Sequence, residues 1–263
     1  MKDFNFKKKF GQNFLRNQKI VERIVEGSQI LENTLVVEVG PGSGVLTKVL
    51  ATSAKKVICY EIDSDLEISL INLQKEYPNV DINFGDFLER EIEKDIEKYE
   101  YDHLYFISNV PYYITTPILL KIMSSKLKFE KIVMMVQKEV GERFSAKPGN
   151  KTYSSITVFL NYFYDIKKLF NVSRNEFIPI PNVDSEVISL TLKDKKELLK
   201  DENLFFEIVR DSFKYKRKTI KNNLKKYNLE IIEQVLIKNG YNLNSRAEQL
   251  PLIVFVEMSN ALF

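Results

Sequence analysis

Short apolar runs alternate with helical patterns along the chain from Leu35 to about Leu160. Runs rich in Val and Ile, each followed by apolar residues at helical spacing, predict βαβ units that build a parallel sheet. The predicted strands are 35–39, 56–60, 80–84, 103–108 and 131–136, with a hairpin-like pair at 163–172 and 187–192 at one edge. We therefore expect an α/β fold with a seven-stranded, mostly parallel, Rossmann-like sheet, in which ligands bind at the carboxyl ends of strands.

The chain changes character after a polar segment at 193–202, beyond which only helical patterns occur. We predict two domains, a sheet domain at 1–197 and a small all-helical domain at 198–263. A length of 263 residues with 44% hydrophobic residues is sufficient for one large core and one small one. The apolar stretches are too short for a transmembrane helix, and the single cysteine fits a reducing compartment, which predicts a cytoplasmic protein without a membrane partner. The one histidine, His103, has no Cys or His cluster to join, so no metal site is expected.

A glycine-rich turn follows the first predicted strand. Gly40, Gly42 and Gly44 stand at alternate positions, where glycines let the backbone come close to a ligand. Glu61 ends the second strand, 21 residues after Gly40, and an acid at that distance can bind the hydroxyls of a ribose. The same features occur in NAD sites, so a NAD-dependent dehydrogenase is an alternative at this point.

The spacing and charge of this turn favour a different cofactor. A dinucleotide-binding turn has the pattern Gly-x-Gly-x-x-Gly and cradles a pyrophosphate. Here the pattern is Gly-x-Gly-x-Gly, with Pro41 inside it and Glu38 just before it. A carboxylate suits a cationic ligand better than a pyrophosphate, and S-adenosylmethionine carries a sulfonium, an amino group and a ribose. We therefore expect S-adenosylmethionine, with Asp86 after the third strand reaching the amine of its adenine.

The tetrapeptide Asn109-Val110-Pro111-Tyr112 follows the fourth predicted strand. The Asn109 side-chain oxygen and the Val110 carbonyl can each accept one hydrogen of an exocyclic amine, and Pro111 fixes the turn that aims them. The ring of Tyr112 offers a face on which a flipped-out base can stack. By itself the tetrapeptide also fits a simple proline turn, but its combination with the glycine-rich turn favours the base-binding interpretation.

A strongly basic stretch, which we call the basic segment, lies at residues 213–227. It contains seven basic residues and no acid. On a helix, positions 214, 218, 221 and 225 form a lysine stripe, and the apolar positions 213, 220, 224 and 227 form a second stripe that packs inward. Such a run is often only a solvated face, but the missing acids favour contacts with RNA phosphates, as do the lysines at 7–9. The predicted RNA-binding residues are Lys214, Arg217, Lys218, Lys221 and Lys225.

Together these motifs resemble those of the small-subunit ribosomal RNA adenine dimethyltransferases, the kasugamycin-sensitivity methyltransferases. The resemblance covers nearly the whole chain. It has two visible departures, because Val110 stands where the family usually has Leu, and Gly141 stands where Ala is common. The matching segments are 9–15, 39–42, 61–63, 109–112, 137–140, 146–149, 177–185, 217–224 and 246–248, together with Arg143.

The resemblance implies the substrate and the site residues. It implies methyl transfer to N6 of two adjacent adenosines in a hairpin loop near the 3′ end of 16S ribosomal RNA, within the 30S subunit or its precursor. The product would be N6,N6-dimethyladenosine, and we expect the enzyme to be a monomer. The implied cofactor-binding residues are Asn13, Leu15, Gly40, Glu61, Asp86 and Asn109. The implied catalytic residues are Asn109, Val110, Pro111, Tyr112 and Phe177, of which Phe177 would close the other side of the base, with core packing as its alternative.

Two related groups of proteins are the main alternatives. The erythromycin-resistance methyltransferases, which modify one adenine of large-subunit RNA, share the fold and both motifs, but the matches at 137–149, 217–224 and 246–248 favour the small-subunit family. Some mitochondrial transcription factors that resemble this family are non-catalytic binders, yet Asn109 and Tyr112 are intact here. A dehydrogenase is disfavoured because the glycine spacing differs and a catalytic base is missing.

Overall fold

A computed structural model describes residues 13–15, 17–194 and 197–263. No helix within these ranges is long and apolar enough to cross a bilayer. The strands are β1 (Phe14–Leu15), β2 (Thr34–Val39), β3 (Lys56–Glu61), β4 (Val80–Phe84), β5 (His103–Ser108), β6 (Lys131–Gln137), β7 (Tyr164–Val172), β8 (Phe177–Ile178) and β9 (Ser185–Leu192). The helices are α1 (Gln18–Ser28), α2 (Val45–Ser53), α3 (Glu67–Glu76), α4 (Ile92–Ile96), α5 (Thr115–Ser124), α6 (Lys138–Phe144), α7 (Ser155–Phe163), α8 (Glu202–Ser212), α9 (Ile220–Asn223), α10 (Leu229–Lys238) and α11 (Leu252–Leu262).

The central sheet has seven strands in the order β4-β3-β2-β5-β6-β9-β7. Neighbouring strands from β4 to β6 pair in parallel, and β9 pairs with β6 in the antiparallel sense. The predicted sheet is therefore confirmed, including the pair of late strands at one edge. All six residues of β2 are buried, as is typical of parallel strands with both faces covered. The carboxyl ends of β2, β3, β4 and β5 consequently meet at one edge of the sheet, where ligands bind in such folds.

The described residues form two compact units. The first contains residues 13–15, 17–141 and 167–191, and the second contains residues 142–166, 192–194 and 197–263. The second unit is built on aromatic contacts between helices. Phe159 of α7 lies with its ring centroid 4.8 Å from that of Phe206 of α8, and Phe213 stacks on Phe255 of α11 at 5.8 Å. Such ring pairs add to the free energy gained by burying their area.

The second unit includes more of the chain than the predicted helical domain at 198–263. The additional described residues are 142–166, 192–194 and 197, and they include α7, whose Phe159 ring packs on α8. The sequence gives no sign of a boundary before residue 142, because apolar residues recur in 142–166 as they do in the strands and helices before it. The division of function between 1–197 and 198–263 stays a prediction.

The basic segment is not the continuous helix that its spacing predicts. α8 ends just before it, and within it only the short α9 is helical, with turns on either side. The Asn223 side chain holds the first turn, because its Nδ2 donates to the carbonyl oxygens of Ser212 (2.6 Å) and Tyr215 (3.3 Å). Like charges three and four residues apart also disfavour a helix. The inward packing is confirmed for Ile220 and Leu224, which are fully buried.

Leu119 and Leu120 are neighbours on α5 and provide a matched test of the core. Leu119 is fully buried, whereas Leu120 is 42% exposed. Leu119→Ala is expected to lower the free energy of unfolding by about 2–5 kcal/mol, because it leaves a cavity. Leu120→Ala should cost roughly 1 kcal/mol or less, since its side chain is already hydrated. Urea unfolding followed by circular dichroism measures both, and equal losses would contradict the burial of this face of α5.

Candidate active site

A cavity of about 300 Å³ lies in the first unit, at the carboxyl edge of the sheet. This volume is at the lower end of the range for small-molecule sites. Its walls come from β1, from the glycine-rich turn after β2, from the end of β3, and from the segments after β4 and β5. The structure brings all six predicted cofactor-binding residues to this cavity, namely Asn13, Leu15, Gly40, Glu61, Asp86 and Asn109.

The glycine-rich turn requires glycine for two reasons. Gly42 and Gly44 have φ angles of 56° and 75°, in the left-handed region that side chains disfavour. A Cβ atom on Gly42 would also lie 2.6 Å from Cε1 of Phe14, and one on Gly44 would lie 2.2 Å from Cδ1 of Leu73. The turn is therefore packed against its neighbours on one side while it lines the cavity. This arrangement lets bare backbone, without side chains, face a ligand.

Glu61 connects the end of β3 to the glycine-rich turn. Its side chain is 4% exposed, and its Oε2 accepts a hydrogen bond from the Gly42 backbone N–H at 3.1 Å. Its Oε1 accepts from the Asp63 N–H at 2.9 Å. Burial raises the pKa of Glu61, and hydrogen bonds from the backbone at Asp63, Gly42 and Ile62 act in the opposite direction. A carboxylate offers about four lone-pair positions, so the Glu61 side chain keeps acceptor capacity for a hydroxyl of a bound ribose.

Glu38 supports the glycine-rich turn from inside the fold. It is 2% exposed, and its Oε2 accepts hydrogen bonds from the Thr47 hydroxyl of α2 (2.7 Å) and from the Cys59 thiol of β3 (3.5 Å). Burial raises the pKa of Glu38 to about 7. Glu38 therefore exchanges a proton near neutral pH, which weakens the sequence-based view of it as a permanent negative charge. The hydrogen bonds assign it a bracing role between α2 and β3.

Asp86 follows β4 and begins a short 3₁₀ helix. Its Oδ1 accepts a hydrogen bond from the Leu88 N–H at 2.8 Å, which caps the 3₁₀ helix Phe87–Glu89. The preceding residue, Gly85, donates its N–H to the Glu61 carbonyl oxygen at 2.8 Å. These bonds hold the half-buried Asp86 side chain at the cavity wall.

The segment after β5 carries the predicted base-binding residues. Ser108, the last residue of β5, donates its hydroxyl to the Val39 carbonyl oxygen at 2.6 Å, which joins the ends of β5 and β2. Asn109 then lines the cavity, and its amide makes no hydrogen bond to any described residue. The Val110 side chain is apolar and buried. The polar groups that Val110 can offer a ligand are therefore those of its backbone. The acceptor role of its carbonyl stays a prediction.

Pro111 and Tyr112 are also positioned at this cavity. The Pro111 carbonyl accepts a hydrogen bond from the Ile114 N–H at 3.2 Å and so begins the 3₁₀ helix Tyr112–Ile114. The Tyr112 hydroxyl lies 2.6 Å from the Ser185 hydroxyl of β9. This bond fixes the orientation of a half-buried ring that lines the cavity. A fixed ring is what a stacking surface requires, because less conformational freedom is lost when a base binds.

Phe177 is placed differently from the sequence-based prediction. Its side chain is 1% exposed and belongs to the hydrophobic core of the first unit. Its backbone pairs with Leu15 in the short antiparallel pair of β1 and β8. Core packing, the alternative for Phe177, is thus what the structure supports. Sequence reasoning missed Tyr113, which lines the cavity and is 57% exposed, although it directly follows the tetrapeptide.

The described part of the chain offers few groups for a metal ion. In it, no three His, Cys, Asp or Glu side chains are close enough together to hold one. The histidine His103 instead contacts Glu130, with 2.8 Å between Nδ1 and Oε2. The cavity therefore presents backbone, carboxylates, an amide and aromatic rings, which suit an organic ligand with hydroxyl and amino groups.

The chain matches a family model described as ribosomal RNA adenine dimethylase over residues 3–262. It is 40% identical over 269 residues to a ribosomal RNA small subunit methyltransferase A of Anoxybacillus flavithermus, covering 99% of this chain and 91% of the relative. A protein of the same name from Geobacillus thermodenitrificans is 41% identical over 268 residues, covering 98% and 92%.

Two solved structures are similar to the whole chain. A dimethyladenosine transferase from Plasmodium falciparum has a TM-score of 0.74 at 28% identity, covering 93% of this chain and 95% of that one. The 23S rRNA methyltransferase ErmE has a TM-score of 0.70 at 26% identity, covering 95% and 99%. Both similarities extend over the two units and are not limited to the sheet.

Glu38→Gln is expected to change how stability depends on pH. The pKa of Glu38 rises from an ordinary value of 4.5 to about 7 on folding, so the folded chain binds more protons between these values. The stability contributed by the protonated acid is therefore complete below pH 4.5 and is lost as the pH rises through 7. An amide resembles the protonated acid and keeps an acceptor for Thr47. The variant should match the wild type at the acidic end and be more stable, by up to about 3 kcal/mol, at the basic end.

Urea unfolding across this pH range measures the effect. Glu76→Gln is a suitable control, because the Glu76 side chain is 57% exposed and forms a surface ion pair with Lys48 at 3.5 Å. If the stability difference between Glu38→Gln and the wild type did not vary with pH, the raised pKa of Glu38 would be contradicted.

Proposed function

Because the chain belongs to the ribosomal RNA adenine dimethylase family, we propose that it dimethylates two adjacent adenosines near the 3′ end of 16S ribosomal RNA. It transfers methyl groups from S-adenosylmethionine to N6 of each adenine and gives N6,N6-dimethyladenosine. The relatives named for the small subunit are considerably more similar to the chain than the solved 23S rRNA methyltransferase is. This difference supports the small-subunit substrate over the erythromycin-resistance type.

One observation supports this function most directly. Asn109, whose amide has no partner among the described residues, lines the same cavity as the glycine-rich turn and Glu61. This half-buried amide remains available to hydrogen-bond a ligand in the cavity. A cavity that combines such an amide with a ribose-binding carboxylate suits a reaction between a nucleoside cofactor and an amine. A non-catalytic binder would not need this combination.

The residues of the cavity fit S-adenosylmethionine. Gly40 and Gly42 have positive φ angles and no Cβ atoms, so the turn presents bare backbone to a ligand. Glu61 keeps acceptor positions for ribose hydroxyls. We assign the free oxygen of Asp86 to the adenine amine of the cofactor, and Asn13 and Leu15 to the wall beside it. When bound, the cofactor supplies a methyl group that is electrophilic because it is attached to a sulfonium.

Asn109 and Val110 prepare the target amine. The lone pair of an adenine amine is delocalised into the ring, which makes the nitrogen a poor nucleophile. Two acceptors, the Asn109 side-chain oxygen and the Val110 carbonyl, favour a more tetrahedral nitrogen whose lone pair is directed at the methyl group. Tyr112 stacks on the base, and its bond to Ser185 keeps the ring in place. Glu61 and Asp86 act as binders, since the nitrogen loses its proton readily once it is alkylated.

The macromolecular substrate is ribosomal RNA, presented by the 30S subunit or its precursor. Ribosome assembly takes place in the cytoplasm, so we assign the enzyme to that compartment, and we assign it a monomeric state. The basic segment contacts the RNA backbone through Lys214, Arg217, Lys218, Lys221 and Lys225, all of which are exposed. Lys7, Lys8 and Lys9, which the sequence also suggests for this role, lie outside the described residues.

Asn109→Ala is expected to separate catalysis from cofactor binding. Methyl transfer to unmodified 30S particles should fall by about 100- to 1,000-fold, the effect of removing one preorganised polar contact in a transition state. Affinity for S-adenosylmethionine, measured by calorimetry, should change only a few-fold. Asn109→Asp retains an acceptor oxygen and should keep more activity than Asn109→Ala. If Asn109→Ala lost cofactor affinity and activity in equal measure, Asn109 would be a cofactor ligand only.

The triple change Lys218→Gln, Lys221→Gln and Lys225→Gln tests the basic segment. Binding to 30S particles should weaken, and the slope of log affinity against log salt should fall by about 0.7–0.9 per lost phosphate contact. A control with the same loss of charge is Lys48→Gln, Lys94→Gln and Lys238→Gln, because each of these lysines pairs with an acid. Equal effects of the two triple variants would show that only net charge matters.

A further inference from the structure

Six of the seven cations of the basic segment make no ion pair with a described residue, and the seventh, Lys226, pairs with the neighbouring acids of α8. Glu207 and Asp211 of α8 are both engaged by Lys226, whose Nζ lies 2.9 Å from the Asp211 carboxylate. Asp211 also accepts a hydrogen bond from the Tyr227 hydroxyl at 2.8 Å. The cations of the basic segment that make no ion pair with a described residue are Lys214, Lys216, Arg217, Lys218, Lys221 and Lys225.

An exposed aromatic ring, that of Tyr215, lies between Lys214 and Lys216 in the sequence of the basic segment. Tyr215 is 57% exposed, and the Lys214 Nζ lies 5.7 Å from the centroid of its ring. A large ring left in water among like charges does not contribute to a core. Such a combination of exposed ring and cations is the usual composition of sites for single-stranded nucleic acid, where bases stack on rings and phosphates contact cations.

The backbone around Tyr215 is fixed by hydrogen bonds. The Tyr215 carbonyl accepts from the Lys218 N–H at 2.9 Å and from Nδ2 of Asn223 at 3.3 Å. The same Nδ2 donates to the Ser212 carbonyl at 2.6 Å, so Asn223 joins α9 to the end of α8. The ring is thus presented from an ordered turn, and a ligand would not have to order the backbone when it binds.

We propose that Tyr215 is a stacking site for an unpaired base of the RNA whose phosphates contact the surrounding cations. This proposal rests on the proposed function, in that the basic segment binds ribosomal RNA. Only an unpaired base can offer its whole face to the ring, since paired bases in a helix are covered by their neighbours. The ligand class is therefore a single-stranded loop or junction and not a regular duplex.

The chain provides a spectroscopic test because it contains no tryptophan. In Tyr215→Trp the new indole is the single tryptophan, and a stacked base should quench its fluorescence. The probe is a single-stranded RNA of about ten nucleotides, within the range of known site sizes. Strong quenching is expected with this RNA, and little with a duplex of the same length, with inorganic polyphosphate or with phosphatidylserine vesicles.

Phe263→Trp is the matched control. Phe263 is 70% exposed, and the Lys200 Nζ lies 5.8 Å from its ring centroid, which is nearly the geometry of Lys214 and Tyr215. Its fluorescence should not respond to the single-stranded RNA. Equal quenching at both positions, or quenching of Tyr215→Trp by polyphosphate or by vesicles, would overturn the proposal.

Binding measurements separate this proposal from the proposed function. Tyr215→Ala should weaken binding to the single-stranded RNA and to 30S particles by about 5- to 100-fold, the range for one base–aromatic stack. The salt slope should be unchanged, because stacking releases no counterions, and Tyr215→Phe should bind like the wild type. If Tyr215→Ala bound normally while the lysine variants flattened the slope, the stacking site would be wrong and the RNA-binding segment would stand. If neither set of variants had an effect, the RNA-binding role of the segment would fall as well.

Discussion

The carboxylate of Glu61 accepts hydrogen bonds from the Gly42 and Asp63 N–H groups while it is almost fully buried. Its backbone carbonyl accepts a further hydrogen bond from the Gly85 N–H. One residue therefore ties together the glycine-rich turn, the end of β3 and the segment that carries Asp86. A buried carboxylate is costly unless it is well bonded, so these contacts hold the walls of the cavity at fixed positions. Asn109 lines the same cavity, beside these walls.

The cavity and the basic segment differ in charge and are formed by different residues. The cavity is lined by the carboxyl groups of Glu61 and Asp86, which suit a cofactor with a positively charged sulfonium. The basic segment contains no acid, and the nearby acids of α8 are occupied by Lys226. Phosphate contacts supply affinity without sequence information. A stacked base at Tyr215 would add a contact that salt does not screen.

Local patterns in the sequence were sufficient to predict the sheet and most of the residues that line the cavity. Runs of Val and Ile with helical segments between them determine a parallel sheet, because each run is long enough for one strand and too apolar to lie at the surface. Parallel strands share a carboxyl edge, so motifs at their ends, such as Gly40 and Asn109, had to meet. The fold and the cavity follow from residues that are close in sequence to a strand end.

Only the tertiary structure decided features that depend on distant partners. The proline-rich sequence around Phe177 is compatible with a ring that faces a base and equally with a ring in the core. The backbone pairing of Phe177 with Leu15 places its side chain in the core. The basic segment has helical spacing, yet the hydrogen bond from Asn223 Nδ2 to the Ser212 carbonyl favours a turn. The pKa of Glu38 depends on burial by α2 and β3. In each case the deciding contact joins residues that no local pattern relates, because packing and burial act through space and not along the chain.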